Sequence, residues 1–220
     1  MLKVVLATQN NNKVREMQSI LKDCGVSAEV ISAKDAGVHE FPEENGTTFS
    51  ENAYIKAKGI FDVVKKSGIL QLPYLVIADD SGLCVDALEG RPGIYSARYA
   101  SVDGNDAADE DNIKKLLMEM EGIPNENRKA YFECSIAAIR DDGKIFSTQG
   151  RLHGYISLQP VGCNGFGYDP VFYLPEESCT VAQLDSYKKN RISHRAKAIR
   201  SLAEIIKDNM GGYNGICSEM

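Results

Sequence analysis

Apolar residues along the chain occur in two patterns, short continuous runs and longer stretches with helical spacing. Residues 4–7 and 74–78 are continuous apolar runs, which are typical of strands buried on both faces of a sheet. Residues 14–21 carry apolar side chains three and four positions apart, which predicts a helix with one buried face. Strands of the first kind together with helices of the second predict an α/β protein.

Capping and turn residues predict where these elements begin and end. Asn10 can cap the first helix, and Thr48 with Glu51 has the spacing of a capping box. Gly68 suits the end of that second helix, and residues 141–143, Asp-Asp-Gly, suit a hairpin turn. The predicted strands are residues 2–8, 29–32, 74–78 (with 83–85 as a candidate extension), 130–140 and 144–150, and the predicted helices follow Asn10, follow Thr48 to about residue 66, and span residues 112–120 and 193–207.

No repeat or low-complexity linker divides the 220 residues. We therefore expect residues 1–210 to form a single domain with two lobes and residues 211–220 to form a frayed C-terminal tail. The longest apolar runs are far shorter than the ~20 residues of a membrane span, and the N-terminus lacks the pattern of a secretory signal. The sequence therefore predicts a cytoplasmic protein that does not act on membranes.

Composition argues against several other classes of protein. Six cysteines are scattered without a Cys-x-x-Cys pair, which disfavours a zinc site, a redox centre or a disulfide framework. The formal net charge of −6 disfavours a nucleic-acid binder, which would usually have a basic surplus. The chain is therefore expected to act on a small molecule rather than on nucleic acid.

Local charge differs from this acidic average near the C-terminus. Between residues 188 and 200 the chain has seven basic residues and no acid: Lys188, Lys189, Arg191, His194, Arg195, Lys197 and Arg200. Basic residues are unfavourable at the start of a helix, so the cluster indicates a negatively charged ligand, with a solvated basic surface as the alternative.

Two adjacent carboxylates, Asp79 and Asp80, follow the apolar run 74–78. The carboxyl end of a buried strand is where α/β sheets bind ligands, so this position favours a functional role. Successive strand residues face opposite sides, so we expect one working acid and one structural acid unless the chain has already turned. An ordinary turn that includes Ser81 and Gly82 is the alternative.

Two further segments offer polar groups close to predicted helix starts. Residues 8–13 supply a hydroxyl, amides, backbone N–H groups and the Lys13 ammonium at one turn, which suits a phosphate, although helix capping alone also explains them. They match neither a Walker P-loop nor a Gly-x-Gly-x-x-Gly turn. Glu43 and Glu44 lie in the loop before the second helix, and that loop alone reads as an ordinary polar loop.

Lys56 lies at the edge of the apolar stripe of the second helix, one turn after Asn52. A partly buried ammonium that faces an acid or a phosphate explains this position. A lysine whose aliphatic stem covers the core while its ammonium reaches solvent explains it as well.

The glycine-rich loop 162–171 carries Phe166 between Gly165 and Gly167. An exposed aromatic ring there could stack on a nucleotide base. The alternative is an aromatic residue that packs into the core, a role for which Tyr168 is also a candidate. Of the three histidines, His194 alone adjoins other candidate residues, and no nucleophile arrangement of the Ser/His/Asp or Cys/His type is evident.

Taken together, six segments closely resemble the inosine/xanthosine triphosphate pyrophosphatase family. They are ATQNNNK at 7–13, EENGTTFSENA at 43–53, DDSGL at 79–83, PGIYSARY at 92–99, GFGYDP at 165–170 and SHR at 193–195. The resemblance implies an elongated mixed β-sheet flanked by helices, with two lobes around a central nucleotide-binding cleft, and a homodimer. It also implies Mg²⁺-dependent hydrolysis of ITP, dITP and XTP to the monophosphate and pyrophosphate, which removes deaminated purines from the nucleotide pool.

The resemblance assigns a role to each matching position. It implies that Asp80, as general base, and Lys56 are catalytic and that Glu44 and Asp80 bind the metal. The implied substrate-binding residues are Thr8, Gln9, Asn10, Asn11, Asn12, Lys13, Ser81, Phe166, Gly167, Tyr168, Asp169, Lys189, His194 and Arg195, of which Lys189, His194 and Arg195 read the base. Tyr187-Lys188 and Val161 depart from the family pattern and affect only the pocket rim.

Two other functions remain open at the level of sequence. One is a pyrophosphatase for modified pyrimidine nucleotides, because stacking on Phe166 does not distinguish one ring from another. The other is a non-catalytic nucleotide-binding sensor, against which the intact Glu44 and Asp80 count. The sequence also leaves open whether Glu43 or Glu44, and Asp79 or Asp80, are the direct metal ligands.

Overall fold

The computed structural model describes residues 1–68, 70–102 and 104–210. Over these residues the chain forms an open seven-stranded sheet with the order β2-β1-β3-β4-β5-β6-β7. The strands are β1 Leu2–Leu6, β2 Ala28–Ser32, β3 Tyr74–Val85, β4 Lys129–Arg140, β5 Ile145–Ile156, β6 Phe172–Leu174 and β7 Cys179–Thr180. The helices are α1 Asn11–Asp23, α2 Phe49–Ser67, α3 Asp109–Glu119, α4 Ser186–Ile192 and α5 His194–Met210.

The sheet is mixed, as the family resemblance implies. Strand β1 pairs in parallel with β2 and with β3, whereas β6 pairs antiparallel with β5 and with β7. Parallel neighbours require a crossover connection, and α1 and α2 lie in the two connections of the parallel part. The predicted α/β class is confirmed.

Local chemistry sets the ends of the first two helices. The Asn10 side chain accepts a hydrogen bond from the Asn12 backbone N–H at 2.8 Å and so caps α1. Thr48 caps α2 in the same way through the Glu51 N–H, and Gly68 ends that helix in the left-handed conformation at φ 62°. These predicted caps are confirmed.

The predicted end of the third strand near residue 78 is wrong. Strand β3 continues without interruption to Val85, so Asp79 and Asp80 lie inside the strand rather than in a turn. Polar strand residues are tolerated here because both carboxylates have partners on helices, Asp79 with Lys13 and Asp80 with Asn52. Successive strand residues face opposite sides, so Asp79 and Asp80 contact different helices, as expected from their adjacent positions.

The predicted hairpin around residues 141–143 is confirmed, with Gly143 at φ 90°. Its second strand runs to Ile156, six residues beyond the predicted end.

The C-terminal helical region contains a separate short helix, α4, and Ser193 is extended between α4 and α5. The predicted frayed tail and Cys217 fall outside the described residues.

The chain divides into two compact units, each with its own core. The first comprises residues 1–80, 135–150 and the segment from 196 onward, and the second comprises residues 81–134 and 151–195. Side chains of β1, β3 and α2 fill a core in the first unit, among them Val5, Val76, Ala53, Ala57 and Ile60. Side chains of the long strands and α3 fill the core of the second, among them Leu83, Phe132, Phe172, Leu116 and Met120.

Within the described ranges, no helix is long and apolar enough to cross a membrane.

Candidate active site

Lys13 and Asp79 form an ion pair in the first unit. The Lys13 ammonium, on the first turn of α1, lies 3.1 Å and 3.3 Å from the two carboxylate oxygens of Asp79 on β3. The Asp79 side chain is only 3% exposed, whereas Lys13 is partly exposed. Asp79 therefore serves as the counterion that holds the Lys13 ammonium at the start of α1.

Lys56 reaches inward from α2. Its ammonium lies 3.0 Å from a carboxylate oxygen of Glu44 and donates to the backbone carbonyl of Asp79 at 3.1 Å. The side chain is 13% exposed. The interpretation of Lys56 as a partly buried ammonium that faces an acid is confirmed, and Glu44 is the acid.

Asp80 has an environment that raises its proton affinity. The pKa of Asp80 is raised to about 6, mainly by burial and in part by the nearby charges of Glu44 and Asp79, whereas the attraction of Lys56 and the hydrogen bond from Asn52 lower it. An ordinary aspartate has a pKa near 4, so this carboxylate binds a proton far more readily. Asp80 is therefore suited to accept a proton near neutral pH.

Asn52 belongs to this site and was not predicted. Its side-chain N–H donates to a carboxylate oxygen of Asp80 at 3.1 Å, and its side-chain oxygen accepts from the Gly46 N–H at 2.8 Å. It is buried on the inner face of α2. A polar residue one turn before Lys56 on the apolar side of a helix was the signal in the sequence that could have indicated it.

The carboxylate oxygens at this site fit a magnesium ion whose coordination the substrate phosphates would complete. In the described part of the chain, no three His, Cys, Asp or Glu side chains are grouped so as to hold a metal by themselves. Magnesium, however, is usually bound by one or two carboxylates together with substrate phosphates. Glu44 and Asp80 both lie near Lys56 and supply oxygen ligands of that kind.

The turn between β1 and α1 is held by its own side chains. The Thr8 hydroxyl accepts from the Asn10 N–H at 3.1 Å, and Asn10 caps the helix, so both side chains have structural roles. Gln9, Asn11 and Asn12 are exposed. The backbone N–H groups at this helix start and the Lys13 ammonium remain the features suited to a phosphate.

In the second unit, Asp169 organises the glycine-rich loop. Its carboxylate accepts from the Phe166 N–H at 2.9 Å and forms a short ion pair with Lys189. A Cβ atom at Gly165 would lie 2.0 Å from the same carboxylate, so the close approach requires glycine there. The Lys189 ammonium also lies 4.3 Å from the centre of the Phe166 ring.

The two aromatic residues of this loop differ in exposure. Phe166 is 61% exposed, whereas Tyr168 is 4% exposed and donates its hydroxyl proton to the Ser96 carbonyl at 2.9 Å. Tyr168 is therefore the aromatic residue that packs into the core, and Phe166 presents a ring to solvent. The Gly167 N–H donates to Asp109 at 2.6 Å and ties the loop to the start of α3.

The basic cluster after residue 187 has acidic partners elsewhere in the second unit. Lys188 pairs with Glu177 at 2.9 Å, and Lys189 pairs with Asp169. Two of the seven basic residues are therefore paired with acids from distant positions of the chain. His194 stacks on the Phe132 ring with centres 5.0 Å apart, Arg195 is buried, and Ser81 is partly buried.

A cavity of about 780 Å³ also lies in the second unit, along α3. Ile113, Leu117 and Met120 line it, together with the buried Arg128, whose guanidinium donates to backbone carbonyls. None of the predicted site residues lines this cavity, although Gly162 and Pro170 at the two ends of the glycine-rich loop do.

The fold makes this chain an α/β protein, and its site combines two neighbouring carboxylates with a lysine ammonium. The model of the Ham1 family matches residues 4–205, and the chain belongs to this family. A dITP/XTP pyrophosphatase of Photobacterium profundum is 48% identical over 94% of this chain and 100% of its own length, and one of Treponema denticola is 43% identical over 94% and 99%.

Solved structures agree with this assignment. The chain is similar to a HAM1 protein of Coxiella burnetii, with a TM-score of 0.81 and 38% identity, over 94% of this chain and 100% of that one. It is also similar to the Ham1 protein of Staphylococcus aureus, with a TM-score of 0.79 and 38% identity, over 94% and 98%. The resemblance seen in the sequence motifs therefore extends to the fold.

Proposed function

We propose that this protein hydrolyses deaminated purine nucleoside triphosphates, ITP, dITP and XTP, to the monophosphate and pyrophosphate. The observation that carries the proposal is the cluster of Asp80, Glu44 and Lys56, in which a carboxylate of raised pKa lies beside a second acid and a partly buried ammonium. The near full-length similarity to dITP/XTP pyrophosphatases supports this choice of substrate.

The charged groups of the candidate site in the first unit each have a part in the proposed reaction. Lys13 and the N–H groups at the start of α1 bind phosphate oxygens, and Asp79 keeps the Lys13 ammonium in place. Asp80 orients the attacking water and accepts its proton, and its pKa of about 6 describes the protein without metal. Lys56 limits the repulsion between the carboxylates and the triphosphate.

We propose Mg²⁺ as the cofactor, held by Glu44 and Asp80 together with the phosphates. When bound, it would neutralise the charge that develops on the pyrophosphate leaving group and favour attack by water. The charges of Glu44 and Asp79, which raise the pKa of Asp80, support a demand for a cation at this site.

We assign base recognition to the second unit. The exposed ring of Phe166 stacks on the base, and Asp169 and Lys189 hold its loop in place. Lys189, His194 and Arg195 read the base, and Lys189 and Arg195 supply donors for the 6-oxo group of hypoxanthine or xanthine. The 6-amino group of adenine is itself a donor, so it would leave such donors unpaired, which costs binding energy.

We also propose that the protein works as a homodimer in the cytoplasm on free nucleotides rather than on nucleic acid or membranes. The net charge of −6 supports free nucleotides over nucleic acid as the ligand.

A product analysis tests the proposed function. Purified protein with MgCl₂ is incubated with ITP, dITP, XTP, ATP, GTP and modified pyrimidine triphosphates, and pyrophosphate and orthophosphate are measured separately. We expect pyrophosphate as the first product from the deaminated purines. Orthophosphate as the first product, a preference for the pyrimidines, or binding without any turnover would overturn the proposal, and the last result would identify a nucleotide sensor.

A further inference from the structure

Asn52 links Asp80 to the loop that carries Glu44, the other acidic residue of the proposed metal site. It donates to the carboxylate of Asp80 on β3 and accepts from the N–H of Gly46, two residues after Glu44. Both contacts lie within the first unit. One buried amide thus holds an acid on a strand and the loop that carries the other acid.

An amide is the side chain that suits both contacts at this position. A carboxylate such as Asp80 accepts hydrogen bonds, and a backbone N–H such as that of Gly46 donates one, so the linking group must donate on one side and accept on the other. An aspartate would lack the donor when ionised, and a leucine would lack both groups.

Gly46 is fitted to the same contact. A Cβ atom at Gly46 would lie 2.7 Å from the side-chain oxygen of Asn52 and 2.7 Å from the Cβ of Glu51. Such distances force a shift of the loop or of the amide. The close approach of loop and helix therefore depends on a glycine at 46 as well as on an asparagine at 52.

We propose that Asn52 is a positioning residue that holds Asp80 and the Glu44 loop in the relative position needed to bind the cation–triphosphate complex. This inference rests on the proposed function and adds a residue to it. Asn52 acts through Asp80 and Glu44 rather than by touching the substrate. Its loss should therefore weaken cation-dependent binding and turnover more than it weakens the fold.

A matched control exists in α3. Asn112 is 2% exposed, as is Asn52, and it also bridges separate groups, accepting from the Ala100 N–H at 2.8 Å and donating to the carbonyls of Ala97 at 3.0 Å and Ala107 at 3.4 Å. These three partners are all backbone groups. Asn112→Leu therefore removes a buried bridging amide of the same kind without touching Asp80 or Glu44.

The experiment compares the parent with Asn52→Leu, Gly46→Ala and Asn112→Leu. Binding of an α,β-methylene analogue of ITP is measured by calorimetry with MgCl₂ and with EDTA, and hydrogen exchange is followed at the Gly46 amide. Turnover of ITP is measured over a range of MgCl₂ concentrations. Gly46→Ala disturbs the bridge from the other end, so the proposal stays testable if Asn52→Leu does not fold.

In Asn52→Leu and Gly46→Ala we expect the affinity with Mg²⁺ to fall about tenfold or more, as for other residues that orient metal ligands, and the affinity in EDTA to change less than about twofold. More Mg²⁺ should be needed for half-maximal turnover, and in Asn52→Leu the Gly46 amide should exchange faster. Asn112→Leu should lower stability and leave the ratio of the two affinities unchanged.

Equal losses of affinity with and without Mg²⁺, or no loss in either, would show that Asn52 has a structural role alone and would overturn the inference. A parent protein that releases pyrophosphate from ITP while the variants keep normal Mg²⁺ dependence removes the inference and leaves the proposed function intact. A parent that does not cleave ITP removes both.

Discussion

At the scale of single residues, the site concentrates groups whose charges oppose the stability of the folded protein. Asp80 is partly buried near Glu44 and Asp79, and Lys56 offsets part of this repulsion. Groups arranged in this way are typical of functional sites, because a perturbed carboxylate is useful in catalysis and unfavourable for folding.

Asp80→Asn should lower turnover by a factor of roughly 10²–10⁴, the range associated with the loss of a general base. The asparagine keeps an oxygen that can accept from Asn52, so the fold should persist. Steady-state kinetics with ITP measure the effect. Activity within about threefold of the parent would contradict the assignment, since it lies far below that range, and would make Asp79 the candidate base.

The same substitution should stabilise the metal-free protein at neutral pH. The pKa of Asp80 is raised to about 6 in the folded state, so protonation of this carboxyl favours folding. This contribution to the free energy of unfolding is complete below the unfolded pKa near 4 and is lost as the pH rises through 6. The gain in Asp80→Asn is at most ~3 kcal/mol, at about 1.4 kcal/mol per pKa unit, and solvent screening reduces it.

Thermal unfolding of both proteins in EDTA at several pH values between 4 and 8 checks this prediction. The difference in Tm between variant and parent should be largest above pH 6 and should shrink steadily as the pH falls to 4. A difference that is constant across this range would show that Asp80 is not the titrating group.

Lys56→Met keeps the aliphatic stem and helix propensity and removes the ammonium between Glu44 and the Asp79 carbonyl. We expect turnover to fall about 100-fold or more, as for loss of a group that stabilises transition-state charge, with a small change in Tm. Lys58→Met, an exposed α2 residue paired with Asp62, is the control and should change neither. Parallel losses of turnover and stability in Lys56→Met, or no loss of either, would remove Lys56 from the active site.

At the scale of secondary-structure elements, the sequence predicted features that depend on neighbouring residues, such as helix caps. It did not predict features that depend on contacts with residues distant in the chain. The caps at Asn10, Thr48 and Gly68 follow from side chains within a few residues, so the ends of α1 and α2 were predictable. The continuation of β3 through Asp79 and Asp80 depends on partners supplied by other elements, and the local Asp-Asp-Ser-Gly composition favours a turn.

Three further elements lack a local signal in the sequence. Helix α4 has no buried residue and spans seven positions, so it has no apolar periodicity to detect. Strands β6 and β7 contain three and two residues, which is too short for an alternating pattern. Asn52 was overlooked for a related reason, since its partners Gly46 and Asp80 are evident only once α2 packs on β3.

The glycine-rich loop offers a matched pair of aromatic substitutions. Phe166→Leu should raise the KM for ITP by roughly 5- to 150-fold, which corresponds to ~1–3 kcal/mol of lost stacking, with little change in Tm because the ring is exposed. Tyr168→Leu should instead lower stability, because it removes a buried ring and its hydrogen bond to Ser96. Kinetics and thermal unfolding of both variants check this, and a reversal of the two effects would contradict the assignment of Phe166 to the base.

At the scale of the whole molecule, the family and fold were predictable because six short motifs are spread from the first strand to the last helix. The pairing of charged side chains, in contrast, was not predictable from the sequence. The sequence indicated that the cations after residue 187 lacked acidic neighbours, yet Glu177 and Asp169 pair with Lys188 and Lys189. Sequence separation conceals such pairs, so the Asp169–Lys189 contact that holds the Phe166 loop became evident only in the folded chain.

Arg195→Ala should reduce the preference for ITP over ATP, mainly by lowering turnover of ITP. Arg195 is buried in the second unit, and its loss removes a proposed donor for the 6-oxo group. Steady-state kinetics with both nucleotides measure the preference. An unchanged ratio with equal losses for ITP and ATP would indicate that Arg195 supports the fold rather than base recognition.

Discrimination between ITP and ATP is the property that the whole account must explain, because it requires both the hydrolytic site and base recognition. The most direct test is to measure kcat/KM for ITP and for ATP with purified protein and MgCl₂, using pyrophosphate release as the assay. We predict a ratio on the order of 10² or more in favour of ITP, since donors without matching acceptors reject a ligand strongly. Comparable values for the two nucleotides would contradict the account.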